Sequence, residues 1–267
     1  MRNYLFLSLS LLFLPMLGKA LIIETAHIAD AIPFIDENTW FLVDLDNTMF
    51  EAQQALGHAN WFYDEIQQRM QEGMSREQAI CDAYPLWIKT QQICPVKPLE
   101  KEFVPSLLLL QNQEIVIMGL THRQPSVAEA TIGQIASLGF DFENTAPSRA
   151  SFAVPAANPA LYEKGILFVG DSNKKGDVFL PFLSILAERP KKVVFIDDKR
   201  KNVEELGEAL SRHGIDYIGI HYTAIEHAPP VYSRKLAAFQ SKFLERMLSN
   251  EEAALLMEEE AAQRIPM

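Results

Sequence analysis

One ten-residue stretch, residues 41–50, constrains the fold more than any other part of this 267-residue chain. An apolar run from Trp40 to Val43 ends abruptly in two carboxylates, Asp44 and Asp46, with one residue between them. Four apolar residues followed directly by charge are typical of a buried central strand that opens into a loop. Open α/β sheets bind ligands at that end of their strands, although a structural polar turn has the same pattern.

Strand-like and helix-like segments alternate along most of the chain. Apolar strands are predicted at residues 21–25, 40–43, 114–119, 192–196 and 215–221, and helices at residues 126–138, 175–186 and 200–213. A weaker pattern predicts a hairpin between residues 151–154 and 165–169. Such alternation predicts an α/β fold built on a doubly wound, Rossmann-like parallel sheet.

Residues 51–112 interrupt this alternation with helical patterns alone. Trp61, Phe62 and Ile66 recur at helical spacing, and Ser75 with Gln78 has the form of a capping box. No strand pattern is visible in this stretch. We therefore predict a helical cap, residues 51–112, inserted after the first strand motif. The catalytic core would then comprise residues 21–50 and 113–267.

The first twenty residues resemble an export signal. A basic start at Arg2 precedes an apolar run over residues 4–17, and Gly18 and Ala20 supply the small residues of a cleavage site. The run is short for a membrane span, although an uncleaved anchor is the alternative. We expect residues 1–20 to be a signal peptide, and the mature chain to be periplasmic or secreted from a bacterium, with no stable membrane span.

The net charge limits the kinds of partner that the chain can bind, and the cysteine content leaves the redox state of its thiols open. The formal net charge of −11 becomes about −13 without Arg2 and Lys19, which disfavours nucleic acid as a partner. The two cysteines, Cys81 and Cys94, would enter an oxidising compartment, where they either form a disulfide or remain free thiols. The sequence leaves this choice and the oligomeric state open.

Reactive side chains follow three of the predicted strands. The pairs Asp44/Asp46 and Asp197/Asp198 each end an apolar run, and Thr121 ends another. Parallel strands end at the same edge of a sheet, so these groups are expected to converge.

The order of these groups resembles that of the haloacid dehalogenase-like (HAD) superfamily. Residues 44–48, Asp-Leu-Asp-Asn-Thr, match its first motif, D-x-D-x-T, and residues 115–121 resemble the second. Lys175 at a helix start resembles the third motif, and residues 193–198 resemble the fourth. The resemblance covers residues 40–222 and is closer still to secreted bacterial HAD-like proteins of unassigned function.

The resemblance implies a phosphohydrolase that acts on a small phosphomonoester through an aspartyl-phosphate. Asp44 would attack phosphorus, and Asp46 would protonate the leaving oxygen and later deprotonate water. Thr121 would hydrogen-bond a phosphoryl oxygen, and Lys175 would offset the negative charge. The adjacent Lys174 is the alternative for the lysine.

The same resemblance implies Mg²⁺ as the cofactor. Its expected ligands are Asp44, the backbone carbonyl of Asp46 and a carboxylate of the fourth motif. Asp197 is expected to ligate directly, with Asp198 either a further ligand or an orienting partner. Asp171 offers an alternative fourth motif with less suitable spacing.

Further residues complete the predicted site. Thr48 and Arg123 are expected to bind substrate, since the Arg123 guanidinium could fork onto a phosphate or carboxylate, or else form a structural salt bridge. Lys199 and Asn202 either orient Asp198 or cap the following helix. Two other functions share these motifs: a phosphotransferase with the same intermediate, and a secreted binding or effector protein on a HAD scaffold. The sequence does not specify the substrate.

Overall fold

The structure, a computed structural model, describes residues 21–263 of the chain. Within them lies a mixed α/β arrangement of ten strands and nine α-helices around a mostly parallel sheet. The predicted signal peptide, residues 1–20, lies outside the described residues.

The strands are β1 Leu21–Thr25, β2 Thr39–Val43, β3 Phe50–Ala52, β4 Val96–Pro98, β5 Val116–Thr121, β6 Phe152–Val154, β7 Ala160–Glu163, β8 Ile166–Phe168, β9 Lys192–Asp197 and β10 Asp216–Tyr222. Eight of these ten strands form the central sheet, in the order β1-β10-β9-β2-β5-β8-β7-β6. The first six strands in this order are parallel to one another, and β7 and β6 extend the sheet as an antiparallel edge.

The predicted hairpin is wrong in its pairing. Residues of β6 pair with β7 rather than with β8, because the chain makes an additional strand between them. The third strand of this group, β8, instead joins the parallel sheet beside β5.

Helices cover both faces of this sheet. The α-helices are α1 Ala59–Gln71, α2 Arg76–Ile93, α3 Phe103–Asn112, α4 Ala128–Ser137, α5 Lys175–Ile185, α6 Arg200–Ser211, α7 Ala224–His227, α8 Arg234–Gln240 and α9 Asn250–Gln263. Phe41 of β2 packs in one buried cluster with α3 and α4, whereas its neighbour Leu42 packs in another with α5 and α6. Successive side chains of a strand point to opposite faces, so β2 is buried on both sides, as its continuous apolar run predicts.

The predicted insertion, residues 51–112, is mainly helical but also contains most of β3 and all of β4. Helices α1 and α2 pack through stacked aromatic rings, with the Phe62 and Trp87 centroids 4.9 Å apart. Strand β3, which begins at Phe50, pairs antiparallel with β4 of this segment, so the expectation of a purely helical segment is wrong. Three-residue strands are too short to produce a visible period-two pattern.

The packing also differs from the predicted division of the chain. Phe103 and Leu107 of α3 pack in the cluster against the sheet, although they fall within residues 51–112. Ala237 of α8 packs in the cluster of α1 and α2, although it falls within residues 113–267. The boundaries of core and cap therefore stay a prediction.

Both cysteines are free thiols in the structure. Cys94 is buried and Cys81 is exposed, so the disulfide alternative is not the one observed. Burial raises the pKa of the Cys94 thiol to about 11, which keeps it protonated and unreactive at neutral pH.

Candidate active site

The site begins in the turn that follows β2. The Leu45 carbonyl accepts hydrogen bonds from the backbone N–H groups of residues 48, 49 and 50, which closes a tight turn. This turn requires a φ of 63° at Asn47, in the left-handed region that asparagine tolerates better than most residues. The Asp-Leu-Asp-Asn-Thr sequence thus separates Asp44 from Asp46 by local backbone geometry.

Asp44 and Lys175 form the centre of the site. Lys175 Nζ donates to Asp44 Oδ1 at 2.6 Å and to Asp197 Oδ2 at 2.5 Å, and the lysine is only 3% exposed. Lys174 lies on the surface, where its Nζ is 3.3 Å from Glu205. The structure therefore places Lys175, and not Lys174, between the two aspartates.

The two aspartates that end β9 differ in their surroundings. Asp197 is fully buried. Its Oδ1 accepts from Lys199 N at 2.7 Å, its Oδ2 accepts from Lys175, and both oxygens accept from Asn202 Nδ2. The oxygens of Asp197 are thus engaged within the protein, whereas Asp198 lines the cleft, and the expectation that Asp197 ligates a cation directly stays a prediction. Asn202 orients Asp197 rather than Asp198.

Three carboxylates converge on one point. Oxygens of Asp44, Asp197 and Asp198 lie within 4.8 Å of one another. Burial raises the pKa of Asp44 to about 6. The nearby Lys175 lowers this pKa and the nearby Asp197 raises it further. Burial and the two neighbouring aspartates also raise the pKa of Asp198. Lys175 bridges two of these carboxylates, and Lys199 also lies near enough to lower the pKa of Asp198. Two lysines thus oppose three carboxylates, and this hard, oxygen-only donor set with excess negative charge fits a divalent cation such as Mg²⁺. Asp171 is not part of the group.

The raised pKa values predict how pH and Mg²⁺ together affect stability. The folded state holds protons on Asp44 and Asp198 more tightly than the unfolded state, so stability should fall as pH rises from about 4 through the Asp44 pKa. Mg²⁺ should therefore raise the thermal midpoint more at about pH 8 than at about pH 5. Thermal unfolding with Mg²⁺ or EDTA at both pH values measures this. Equal shifts at the two pH values would contradict the assignment.

The two threonines occupy different positions. Thr121 ends β5 and lines the cleft, and its Oγ1 accepts from the Arg123 backbone N–H at 3.1 Å. Thr48 is fully buried; its hydroxyl donates to Asp44 Oδ2 and accepts from the Asp198 N–H at 3.0 Å. Thr48 is thus placed to position Asp44 and the fourth motif, which differs from the substrate contact expected from the sequence.

Asp46 lines the same cleft and pairs with Arg123. Arg123 Nε and Nη2 donate to the two Asp46 carboxylate oxygens, each at 2.7 Å. Burial favours a raised pKa at Asp46, but the guanidinium outweighs it and lowers the pKa. The structural salt bridge, which the sequence left as an alternative for Arg123, is the arrangement observed.

A narrow cleft opens over these groups. Its floor holds Asp44 and Thr121, and its opposite wall consists of Phe62, Tyr63, Tyr84 and Trp87 from α1 and α2. Lys199 Nζ donates to the Tyr63 hydroxyl at 2.9 Å, which joins the wall to the end of β9. Sequence reasoning did not identify this wall, because aromatic residues at helical spacing are indistinguishable from core residues.

These features define a mixed α/β protein with a carboxylate cluster at the C-terminal edge of a mostly parallel sheet. The chain belongs to the family described as "Protein of unknown function (DUF2608)", whose model matches residues 23–254. That description names no activity.

The names of the similar proteins state no activity. A "Putative outer membrane protein" of Chlamydia pneumoniae is 33% identical over 231 residues, 86% of this chain and 87% of its own length. A Chlamydia trachomatis protein of the same name is 32% identical over 253 residues, 93% and 95% of the two chains. An uncharacterized protein of Rickettsia prowazekii is 25% identical over 260 residues, 91% and 92%. No solved structure matches.

Among residues 21–263, no helix is both long and apolar enough to cross a membrane.

Proposed function

We propose that this protein is an exported, Mg²⁺-dependent phosphohydrolase of the HAD type that acts on a small phosphomonoester. The observation that carries the proposal is the Asp44 carboxylate, held by Lys175 at 2.6 Å beside Asp198 at the bottom of a cleft. An ionised carboxylate with a fixed cation beside it is the arrangement needed to attack a phosphate that is itself negative.

The reaction would consist of two displacements at phosphorus. In the first, an Asp44 oxygen forms a bond to phosphorus, the bond to the leaving oxygen breaks, and Asp46 gives that oxygen a proton. In the second, water attacks phosphorus while Asp46 takes its proton, and the bond to Asp44 breaks, releasing inorganic phosphate. The Arg123 ion pair lowers the pKa of Asp46 and so favours the ionised form, which accepts the proton of water in the second displacement, whereas the first displacement requires the protonated form.

Other side chains would bind and neutralise the phosphoryl group. Thr121, which lines the cleft, would hydrogen-bond it, and Lys175 would offset its charge. Asp44 and Asp198 would hold Mg²⁺, which supplies charge neutralisation when bound. The aromatic wall of the cap would exclude water and select the leaving group.

The strand order and the relatives support the remaining parts of the proposal. From β2 the sheet continues to β5 on one side and to β9 on the other, which supports a doubly wound, Rossmann-like sheet with its site at the switch point. The names of the Chlamydia relatives support export from the cytoplasm.

A panel of phosphomonoesters tests this function. The purified chain is expected to release inorganic phosphate from at least one member with Mg²⁺, and EDTA is expected to abolish the release. Phosphorylated products formed after addition of alcohols would favour the phosphotransferase. If no ester is hydrolysed with Mg²⁺ present, the phosphohydrolase proposal fails and the binding or effector function becomes the better one.

A further inference from the structure

The Arg123 side chain uses every hydrogen-bond donor that it has within the protein. A guanidinium carries five N–H groups. Nε and one Nη2 donor bind Asp46, the second Nη2 donor binds Gln91 Oε1 at 3.0 Å, and Nη1 binds Thr131 Oγ1 at 2.9 Å and Gln134 Oε1 at 2.6 Å. Arg123 is only 6% exposed. No donor therefore remains for a substrate phosphate in this arrangement.

The acceptors of Arg123 are themselves fixed. Gln91 Nε2 donates to the Gly57 carbonyl at 3.1 Å, and Gln134 Nε2 donates to the carbonyls of Gln91 and Cys94, each at 3.1 Å. All three acceptors of Arg123 other than Asp46 are buried. A charged group with every donor satisfied by buried, mutually bonded partners has one favoured orientation.

We propose that Arg123 is a positioning residue that fixes the Asp46 carboxylate, and that Gln91 makes this orientation depend on the position of helix α2. The inference rests on the proposed function, in which Asp46 transfers the proton. It departs from the sequence-based expectation that Arg123 binds substrate.

The elements that supply the network explain the dependence on α2. Asp46 follows β2, Arg123 follows β5, and Thr131 and Gln134 lie on α4. Gln91 alone belongs to α2, whose Tyr84 and Trp87 form part of the aromatic wall. A shift of α2 therefore removes one acceptor from Arg123 and also withdraws the Gln91 carbonyl that fixes Gln134, which loosens the hold on Asp46.

Two substrates that differ in leaving group separate positioning from phosphate binding. Proton transfer matters more for an alkyl phosphate, whose leaving oxygen is strongly basic, than for 4-nitrophenyl phosphate. Arg123→Met is expected to lower kcat for the alkyl ester by about 10²-fold, lower it much less for the aryl ester, and leave KM and inhibition by inorganic phosphate within about twofold. Asp46→Asn should give the same pattern. A rise in KM and in the phosphate inhibition constant, equal for both esters, would overturn the proposal.

Two neighbouring glutamines provide the matched test of the link to α2. Gln91→Ala should also lower kcat more for the alkyl ester than for the aryl ester, but by a smaller factor than Arg123→Met. Gln92→Ala, on the exposed side of the same helix, should leave both rates unchanged. Equal behaviour of the two variants would overturn the link. If Arg123→Met fails to fold, Arg123→Lys retains the charge, loses the fork and should show the same pattern.

A measurement without activity separates this inference from the proposed function. In a double-mutant cycle of thermal unfolding, Arg123→Lys and Asp46→Asn should be non-additive, because each removes the same contact. A non-additive result with no hydrolysis of any ester would overturn the proposed function while preserving the contact. Additive effects would overturn the positioning role itself.

Discussion

Replacing Asp44 by asparagine is expected to lower phosphoester hydrolysis by about 10³-fold or more, without unfolding the protein. The amide keeps the shape of the side chain and an oxygen that can accept from Lys175, but it cannot form the covalent phosphoenzyme. It also removes one of the three crowded carboxylates. Because the pKa of Asp44 is raised to about 6, its charge is unfavourable at neutral pH, and the variant should unfold at an equal or higher temperature without Mg²⁺.

The control is an aspartate that lies outside the carboxylate cluster but on α5, the helix that carries Lys175. Asp177 is exposed on α5, two residues after Lys175, and Asp177→Asn should retain the wild-type rate. Initial rates of phosphate release and thermal midpoints, measured side by side for the three proteins, provide the comparison. If Asp44→Asn and the wild type hydrolyse the ester equally fast, Asp44 is not the nucleophile.

The sequence predicted the parts of the site in which a reactive side chain stands at the end of an apolar strand. Asp44, Thr121 and Asp197 each end an apolar strand, and β5, β2 and β9 are adjacent and parallel in the sheet. Convergence of the three strand ends follows from that topology, and Asn47 marks the turn that separates the paired carboxylates. Nothing beyond strand direction is needed to bring these groups together.

The Arg123 network was not predictable in the same way. Asp46 and Arg123 are 77 positions apart, and the three further acceptors are two glutamines and a threonine on helices. Such residues are ordinarily solvated, so their sequence pattern carries no sign that they are buried together. The roles of Asp197 and Asp198 likewise depend on which carboxylate Asn202 and Lys175 reach, and this is set by tertiary packing rather than by order along the chain.

The two adjacent lysines at the start of α5 should differ strongly in their contribution to stability. Lys175→Met is expected to reduce the free energy of unfolding by about 3–5 kcal/mol, because it leaves the buried carboxylates of Asp44 and Asp197 without their cation. Lys174→Met removes an exposed charge 3.3 Å from Glu205 and should change the free energy of unfolding by less than about 0.5 kcal/mol. Urea unfolding of both variants measures the difference.

The pH dependence identifies the cause of that loss. Without Lys175 the Asp44 carboxylate should take up a proton at a higher pH than in the wild type, so the deficit of Lys175→Met should shrink as pH falls toward about 5. A deficit caused only by altered packing of the methionine side chain would stay constant over the same range. A loss that is equal in Lys174→Met and Lys175→Met, at every pH, would show that the buried lysine does not balance the carboxylates. In that case the charge argument for a cation beside Asp44 would fail with it.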